Sequence, residues 1–219
     1  MNENNLRGTA TVQREPVSSA MTNKGQAENC HVGTNAPAGR PGLLLDRDGV
    51  VNIDSGYVAT AERCRFLPGV FTLARRAFDR GFAVVIVTNQ SGVARGYYTE
   101  EQYFVFAAWV ADRFAAEGVP LAGQFHCPYH ADAVSERYRR DSYWRKPNPG
   151  MIRQAARTLR LELARSVMLG DHVGDLLAAR AAGVGVRVLV GRDGGGIEPG
   201  LADFVVPEPG ALIRRLGWN

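Results

Sequence analysis

Lysine is nearly missing from this 219-residue chain: Lys24 and Lys146 stand alone, so arginine supplies almost all of the positive charge. The formal net charge is +4 and the sequence pI about 9.2, yet no compact basic run or basic repeat occurs. A basic balance without such a run does not call for a nucleic-acid partner and serves any anionic substrate. Cysteine is scarce and odd in number, with Cys30, Cys64 and Cys127 far apart. That excludes a disulfide framework and predicts a reducing, cytoplasmic setting. No apolar run is long enough to span a bilayer, and residues 1–13 lack the apolar core of a secretory signal. Aromatic residues are absent from residues 1–40, which are rich in Asn, Ala, Gly, Thr and Ser. Such a segment buries too little apolar surface to offset its ordering entropy, so a disordered tail is expected over 1–40 and one domain over 41–219.

What remains is ordinary globular material, 45% hydrophobic and 22% charged, without an internal repeat. From residue 42 onward strand and helix patterns alternate. Gly42 to Leu45 is a short apolar run ending at Asp46, a buried strand. Val70, Leu73, Ala74, Ala77 and Phe78 fall on one helical face, closed by Gly81. Residues 82–87 read as a second buried strand. Thr99-Glu100-Glu101-Gln102 is a capping box, followed by a stripe of Phe104, Ala107, Ala108, Ala111 and Ala115. A third strand is expected over 124–127 and a long polar loop over 128–146. Asn148 as cap and Pro149 as first residue predict a helix whose buried face is Ile152, Ala155, Ala156 and Leu159. Strands over 167–169, 184–190 and 203–206 enclose a helix ending at Ala182, and a last helical turn spans 210–216. Alternating units of this length predict an α/β fold, a Rossmann-like doubly wound parallel sheet with helices on both faces.

Position gives the polar residues their meaning. Asp46, Asn89 and Asp171 each close a predicted parallel strand, at the edge where open α/β sheets bind ligands. Asp46-Arg47-Asp48-Gly49 carries two carboxylates two residues apart. Taken singly, this is an acidic turn, Lys146 is a surface lysine, and Asp171 with Asp175 is an acidic helix start. Taken in chain order, they supply a carboxylate nucleophile, a second carboxyl for proton transfer, a cation for phosphate oxygens and acids for a metal. Phosphoryl transfer needs those parts.

The chain resembles the haloacid-dehalogenase-like phosphatases through Leu44-Leu45-Asp46-Arg47-Asp48-Gly49-Val50, Val87-Thr88-Asn89-Gln90-Ser91-Gly92, Arg145-Lys146-Pro147 and Leu169-Gly170-Asp171-His172-Val173-Gly174-Asp175. Within them it is similar to the subgroup acting on D-glycero-D-manno-heptose 1,7-bisphosphate and histidinol phosphate, through Asn52-Ile53-Asp54-Ser55-Gly56-Tyr57 and Thr88 to Gly96. The resemblance covers residues 42–192. It implies Asp46 as nucleophile and Asp48 as the acid that protonates the leaving oxygen and then activates water. It implies phosphate contacts from Thr88, Asn89 and Lys146, within a substrate-binding set that also takes in Gln90, Ser91, Arg145, Asp54, Ser55, Gly56 and Tyr57. It implies Mg²⁺ on Asp46, the Asp48 carbonyl and Asp171, with Asp175 supporting the metal through water. Hence a magnesium-dependent phosphatase of a small phosphorylated metabolite is expected, a monomer with no membrane partner. Heptose bisphosphate is the leading substrate. Histidinol phosphate and, from another class, phosphorylated nucleic-acid 3′ ends are the alternatives.

Relatives of this subgroup carry a zinc loop built from a Cys-x-His and a Cys-x-Cys pair. Here Cys127-Pro128-Tyr129-His130 and Ser142-Tyr143-Trp144 occupy it, so zinc, which prefers four closed ligands, is not expected. Packing by Tyr138, Tyr143 and Trp144 replaces it in this reading. The segment between Asp48 and Pro68 is too short to fold as a cap, and a capless core is expected.

Overall fold

The computed structural model describes residues 39–191 and 197–218. Six strands form one parallel sheet: β1 (Gly42–Leu45), β2 (Ala83–Asn89), β3 (Gly123–Cys127), β4 (Val167–Gly170), β5 (Val186–Val190) and β6 (Phe204–Val206). Their order is β3-β2-β1-β4-β5-β6. The chain winds outward from β1 in one direction through β2 and β3, then crosses back to β4 and winds the other way. The reversal lies between β1 and β4, where Leu43, Leu44 and Leu45 face Val167, Met168 and Leu169. Crevices for ligands open at such a switch point.

Among the described residues five α-helices lie between strands, α1 (Val70–Asp79), α2 (Ser91–Ala94), α3 (Glu100–Ala116), α4 (Gly150–Leu159) and α5 (Val173–Ala182), and α6 (Leu212–Arg215) follows β6. Side chains alternate across the pleat, and this divides the core in two. Leu43, Leu45, Val84, Ile86 and Leu169 pack with α1, α3 and α6 on one face. Leu44, Val85, Val87 and Met168 pack with α4 and α5 on the other. β1, β2 and β4 are therefore apolar on both sides, as the unbroken runs in the sequence imply.

Three local expectations need correction. The buried face of α3 is Tyr103, Phe106, Ala107, Val110 and Phe114; Ala108 and Ala115 of the expected stripe are exposed. Both stripes have helical spacing, and the one with more apolar area per residue is buried. Asn148 does not cap α4. Its amide donates to the Ser142 carbonyl at 3.1 Å, Pro149 takes the cap position, and the helix starts at Gly150. Gly39 and Arg40 belong to the domain rather than to a tail: Gly39 N donates to Arg160 O, and Glu162 N donates to Arg40 O. Residues 1–38, the rest of the expected tail, lie outside the described residues.

Among the described residues no inserted domain covers the C-terminal edge of the sheet. Residues 50–67 hold only turns and isolated bridges, and residues 128–145 one 3₁₀ turn at Glu136–Tyr138. No helix among the described residues is long and apolar enough to cross a membrane.

Candidate active site

β1 ends at Leu45, and Asp46 N still donates to Leu169 O of β4 at 3.0 Å. Asp46 is thus held in line with the sheet, and its side chain emerges at the switch point. The backbone then turns tightly, with Val51 N and Asn52 N both donating to Arg47 O. Gly49 makes the turn possible at φ +81, and a Cβ there would collide with the Asp171 carboxylate. Glycine is required on both counts. On β4 a Cβ on Gly170 would strike the Asp175 side chain in the same way, so the absent side chain is what lets Asp175 tuck under the strand end.

Lys146 is the hub. Its ammonium is 2.6 Å from Asp175 Oδ1 and 2.9 Å from Asp46 Oδ2, and it donates to Val87 O at 2.9 Å. All three donors of the ammonium are in use, so a phosphate oxygen bonding Nζ would replace one of these contacts. Asn89 fixes the lysine from behind: its Oδ1 accepts from Lys146 N and its Nδ2 donates to Lys146 O, both at 3.0 Å. The Asn89 side chain is therefore committed to the lysine backbone, which is a different task from the phosphate contact expected of it.

Burial pushes the Asp46 carboxyl up to about 7 against the pull of Lys146, with Asp175 and Asp171 adding to the rise. Burial alone would lower Lys146, but Asp175 and Asp46 outweigh it and hold it above the usual lysine range. The two directions compete for one proton. The short contacts favour a charged lysine between carboxylates. Asp171, raised by burial and pulled down by His172, meets the His172 ring at 2.7 Å. Asp175 offers its second oxygen to His172 N at 3.0 Å, closing the first turn of α5.

Asp46 and Asp175 contact one lysine, and Asp171 lies close enough to act on their charges. Ligand atoms of Asp171, His172 and Asp175 lie within 4.8 Å of one another. The excess of hard oxygen donors beside a sharp turn suits an oxygen-preferring divalent cation. Among the described residues the 127–144 loop brings no three His, Cys, Asp or Glu ligand atoms together, and its side chains have other partners. Cys127 is buried, its thiol raised by burial despite contacts with the Tyr129 backbone and Ser142. His130 Nδ1 accepts from Asp132 N at 3.0 Å. Tyr129 and Trp144 pack on the core, and the Arg140 guanidinium sits 4.1 Å over the Tyr129 ring. Tyr143 and Trp144 meet edge to face at 5.8 Å, and the Tyr138 hydroxyl donates to Glu100 at 2.7 Å.

The crevice has a volume of about 550 Å³ and brings together Asp46, Asp48, Thr88, Lys146, Asp171 and Asp175. Asn89, Gln90, Ser91, Arg145, Asp54, Gly56 and Tyr57 also line it, whereas Ser55 does not. Ser55 instead gives its carbonyl to Arg63, which also takes those of Gly56 and Tyr57. The Tyr57 ring stands 4.2 Å from that of Tyr97.

Sequence reasoning missed what surrounds Asp48. Its Oδ2 accepts from Arg47 Nη2 at 2.8 Å and Gln90 Nε2 at 3.2 Å. Its Oδ1 accepts from Arg47 Nε at 3.3 Å and Asn52 Nδ2 at 3.0 Å. Gln90 also donates to Thr88 Oγ1 at 2.8 Å and accepts from the Tyr98 hydroxyl at 2.6 Å. The only available signal was an arginine between the two aspartates.

The HAD-hydrolase-like family model matches residues 143–200. The D-glycero-alpha-D-manno-heptose-1,7-bisphosphate 7-phosphatase of Burkholderia mallei is 42% identical over 175 residues, which is 80% of this chain and 92% of that protein. The D-glycero-beta-D-manno-heptose-1,7-bisphosphate 7-phosphatase of Yersinia pestis is 44% identical over 150 residues, 68% of this chain and 80% of that one. Among solved structures, a D,D-heptose bisphosphate phosphatase from B. bronchiseptica complexed with magnesium and phosphate is 32% identical with a TM-score of 0.69, covering 80% of this chain and 97% of that one. On this identity and coverage the chain belongs to the haloacid-dehalogenase-like phosphatases and is a phosphoric monoester hydrolase.

Proposed function

We propose that the protein is a magnesium-dependent phosphatase that works through a phospho-aspartate on Asp46 and removes the 7-phosphate of a D-glycero-D-manno-heptose 1,7-bisphosphate. The observation that carries this reading is the contact of Lys146 Nζ with Asp46 Oδ2 and Asp175 Oδ1 at the switch point of the sheet. The names of the two relatives and the magnesium and phosphate bound by the solved neighbour support the substrate and the ion.

Asp46 is prepared for attack. Arg47 N donates to its Oδ1 at 2.6 Å while Lys146 holds Oδ2, so the carboxylate has one orientation. An Asp46 oxygen bonds phosphorus as the bond from phosphorus to the sugar oxygen breaks. Asp48 gives that oxygen its proton. The Asp48 carboxylate then takes a proton from water, whose oxygen bonds phosphorus and frees Asp46. Lys146 opposes the repulsion between carboxylate and phosphate throughout. Asp46, Asp171 and the Asp48 carbonyl would hold Mg²⁺, which supplies positive charge to the phosphate oxygens. Asp175 acts chiefly by keeping Lys146 charged and in place. Thr88 and Ser91 border the phosphate, and Arg145 with Asp54, Gly56 and Tyr57 borders the sugar.

The test is a release assay for inorganic phosphate with both anomers of heptose 1,7-bisphosphate, histidinol phosphate and 3′-phosphorylated DNA, with and without Mg²⁺. The relatives are named for opposite anomers, so both belong in the panel. Magnesium-dependent turnover of a heptose bisphosphate above all others is expected. Preference for histidinol phosphate or DNA ends, or equal rates in chelator, overturns the assignment.

A further inference from the structure

We infer that Arg47, together with a Tyr98–Gln90 relay, is a positioning device for Asp48 that sets the proton transfer to the leaving group. The inference rests on the proposed role of Asp48 in the phospho-aspartate reaction.

Arg47 is almost wholly buried, 1% exposed. Its guanidinium lies 5.0 Å from the Phe106 ring centre and 5.8 Å from that of Tyr103. Asp48 is the carboxylate it meets in an ion pair, and Nη2 also donates to the Val58 carbonyl at 2.6 Å. Taking a guanidinium this far from water is costly unless it is paired and fixed. A fork of two donors on one carboxylate sets both the place and the plane of that carboxylate, which a lysine ammonium does not do.

The relay acts on the other side of Asp48. A carboxylate only accepts, so the Gln90 group facing Asp48 Oδ2 must be the amide NH₂. The Tyr98 hydroxyl, 2.6 Å from Gln90 Oε1 and pushed up to about 12 by burial, is the donor that keeps the amide in that sense. Asn52 completes the set on Oδ1. Three side chains, two from the 47–52 turn and one from the end of β2, thus hold one carboxyl that is itself only part-buried. Asp48 also lines the crevice, and with two donors on each oxygen the proton it passes to the leaving group must displace one of them. None of the three needs to touch the phosphate, so they are positioning residues.

The distinguishing readout is the leaving group. kcat/KM covers steps only as far as departure of the alcohol. A sugar oxygen needs the Asp48 proton to leave, whereas p-nitrophenolate leaves without one. The test uses Arg47→Lys, which keeps the charge but loses the fork, and Tyr98→Phe, which removes one hydroxyl. Both are assayed as the full chain with Mg²⁺, beside melting curves and an Asp46→Asn control. For a sugar phosphate, kcat/KM should fall roughly tenfold to a hundredfold, while for p-nitrophenyl phosphate it should hold within about twofold, because general acid catalysis supplies about 10²–10⁴ only where a proton is needed. Equal loss on both substrates, or loss on neither, overturns the inference. If Arg47→Lys fails to fold, Tyr98→Phe decides alone. An active Asp46→Asn control would instead defeat the phospho-aspartate reading, so the two failures are separable.

Discussion

Replacing Lys146 with methionine should unfold the protein more readily while leaving the volume of the site nearly unchanged. Lys146 is 4% exposed, and its ammonium contacts two carboxylates and one carbonyl. Removing it leaves Asp46 and Asp175 buried without a cation and close together. Breaking a buried pair by deleting one partner costs about 3–5 kcal/mol. In a domain of this size that lowers the melting temperature by about 6–20 °C. The pH dependence has a definite sign. Lys146 is raised in the fold, so its contribution is complete below its unfolded value of 10.5 and is lost only as pH climbs through the higher folded value. In the variant Asp46, already raised by burial, loses the cation that pulls it down and rises further. A raised acid costs stability above its unfolded value, and the cost fades as acid protonates it. The deficit of Lys146→Met against the parent should therefore be largest at about pH 8 and smaller at about pH 5. Urea unfolding at both pH values, in chelator, measures it. A variant that melts within about 2 °C of the parent at high pH, or whose deficit grows on acidification, would refute the picture of a lysine holding two buried carboxylates.

Other outcomes follow from the same geometry. Asp46→Asn should abolish turnover yet cost no more than about 1 kcal/mol, since the Lys146–Asp175 pair survives; steady-state assay and urea unfolding check both halves. Gly49→Ala should destabilise by about 1–3 kcal/mol through its positive φ, with a further loss of magnesium affinity because the added Cβ displaces Asp171; calorimetric titration of the ion reads the second effect. Adding Mg²⁺ at about 100 times its Kd should stabilise the parent by about 2.7 kcal/mol, and Asp171→Asn should remove most of that gain in thermal scans. Thr99→Ala removes the cap hydroxyl that accepts from Gln102 N at 3.2 Å and should cost about 1 kcal/mol without altering kcat.

The parts of this molecule written in local pattern were legible. β1, β4 and β2 as far as Val87 are unbroken non-polar runs because both their faces are covered, and the polar residues that follow each run mark the sheet edge. The Thr99 capping box is a four-residue signal and forms as read. Where two patterns competed, size decided: on α3 the aromatic and valine stripe took the core from the alanine stripe. Contacts between distant segments were not legible. Asn89 clamps the backbone of a residue 57 positions away, and Gln90 joins Asp48, Thr88 and Tyr98. No periodicity reports such pairings, because they depend on how three strand ends and a loop converge. Asn148 shows the same limit on a small scale. A cap residue is a good bond partner for any nearby carbonyl, and here the Ser142 carbonyl reached it first.

The central claim is tested most directly by trapping the enzyme during turnover. A rapid acid quench followed by borohydride reduction converts an aspartyl phosphate to homoserine, and peptide mapping then locates it. The reduced residue should be found at position 46 in the parent with substrate and Mg²⁺, and nowhere in Asp46→Asn. Steady turnover with an unmodified Asp46, or a phosphoryl group recovered on another residue, would contradict it.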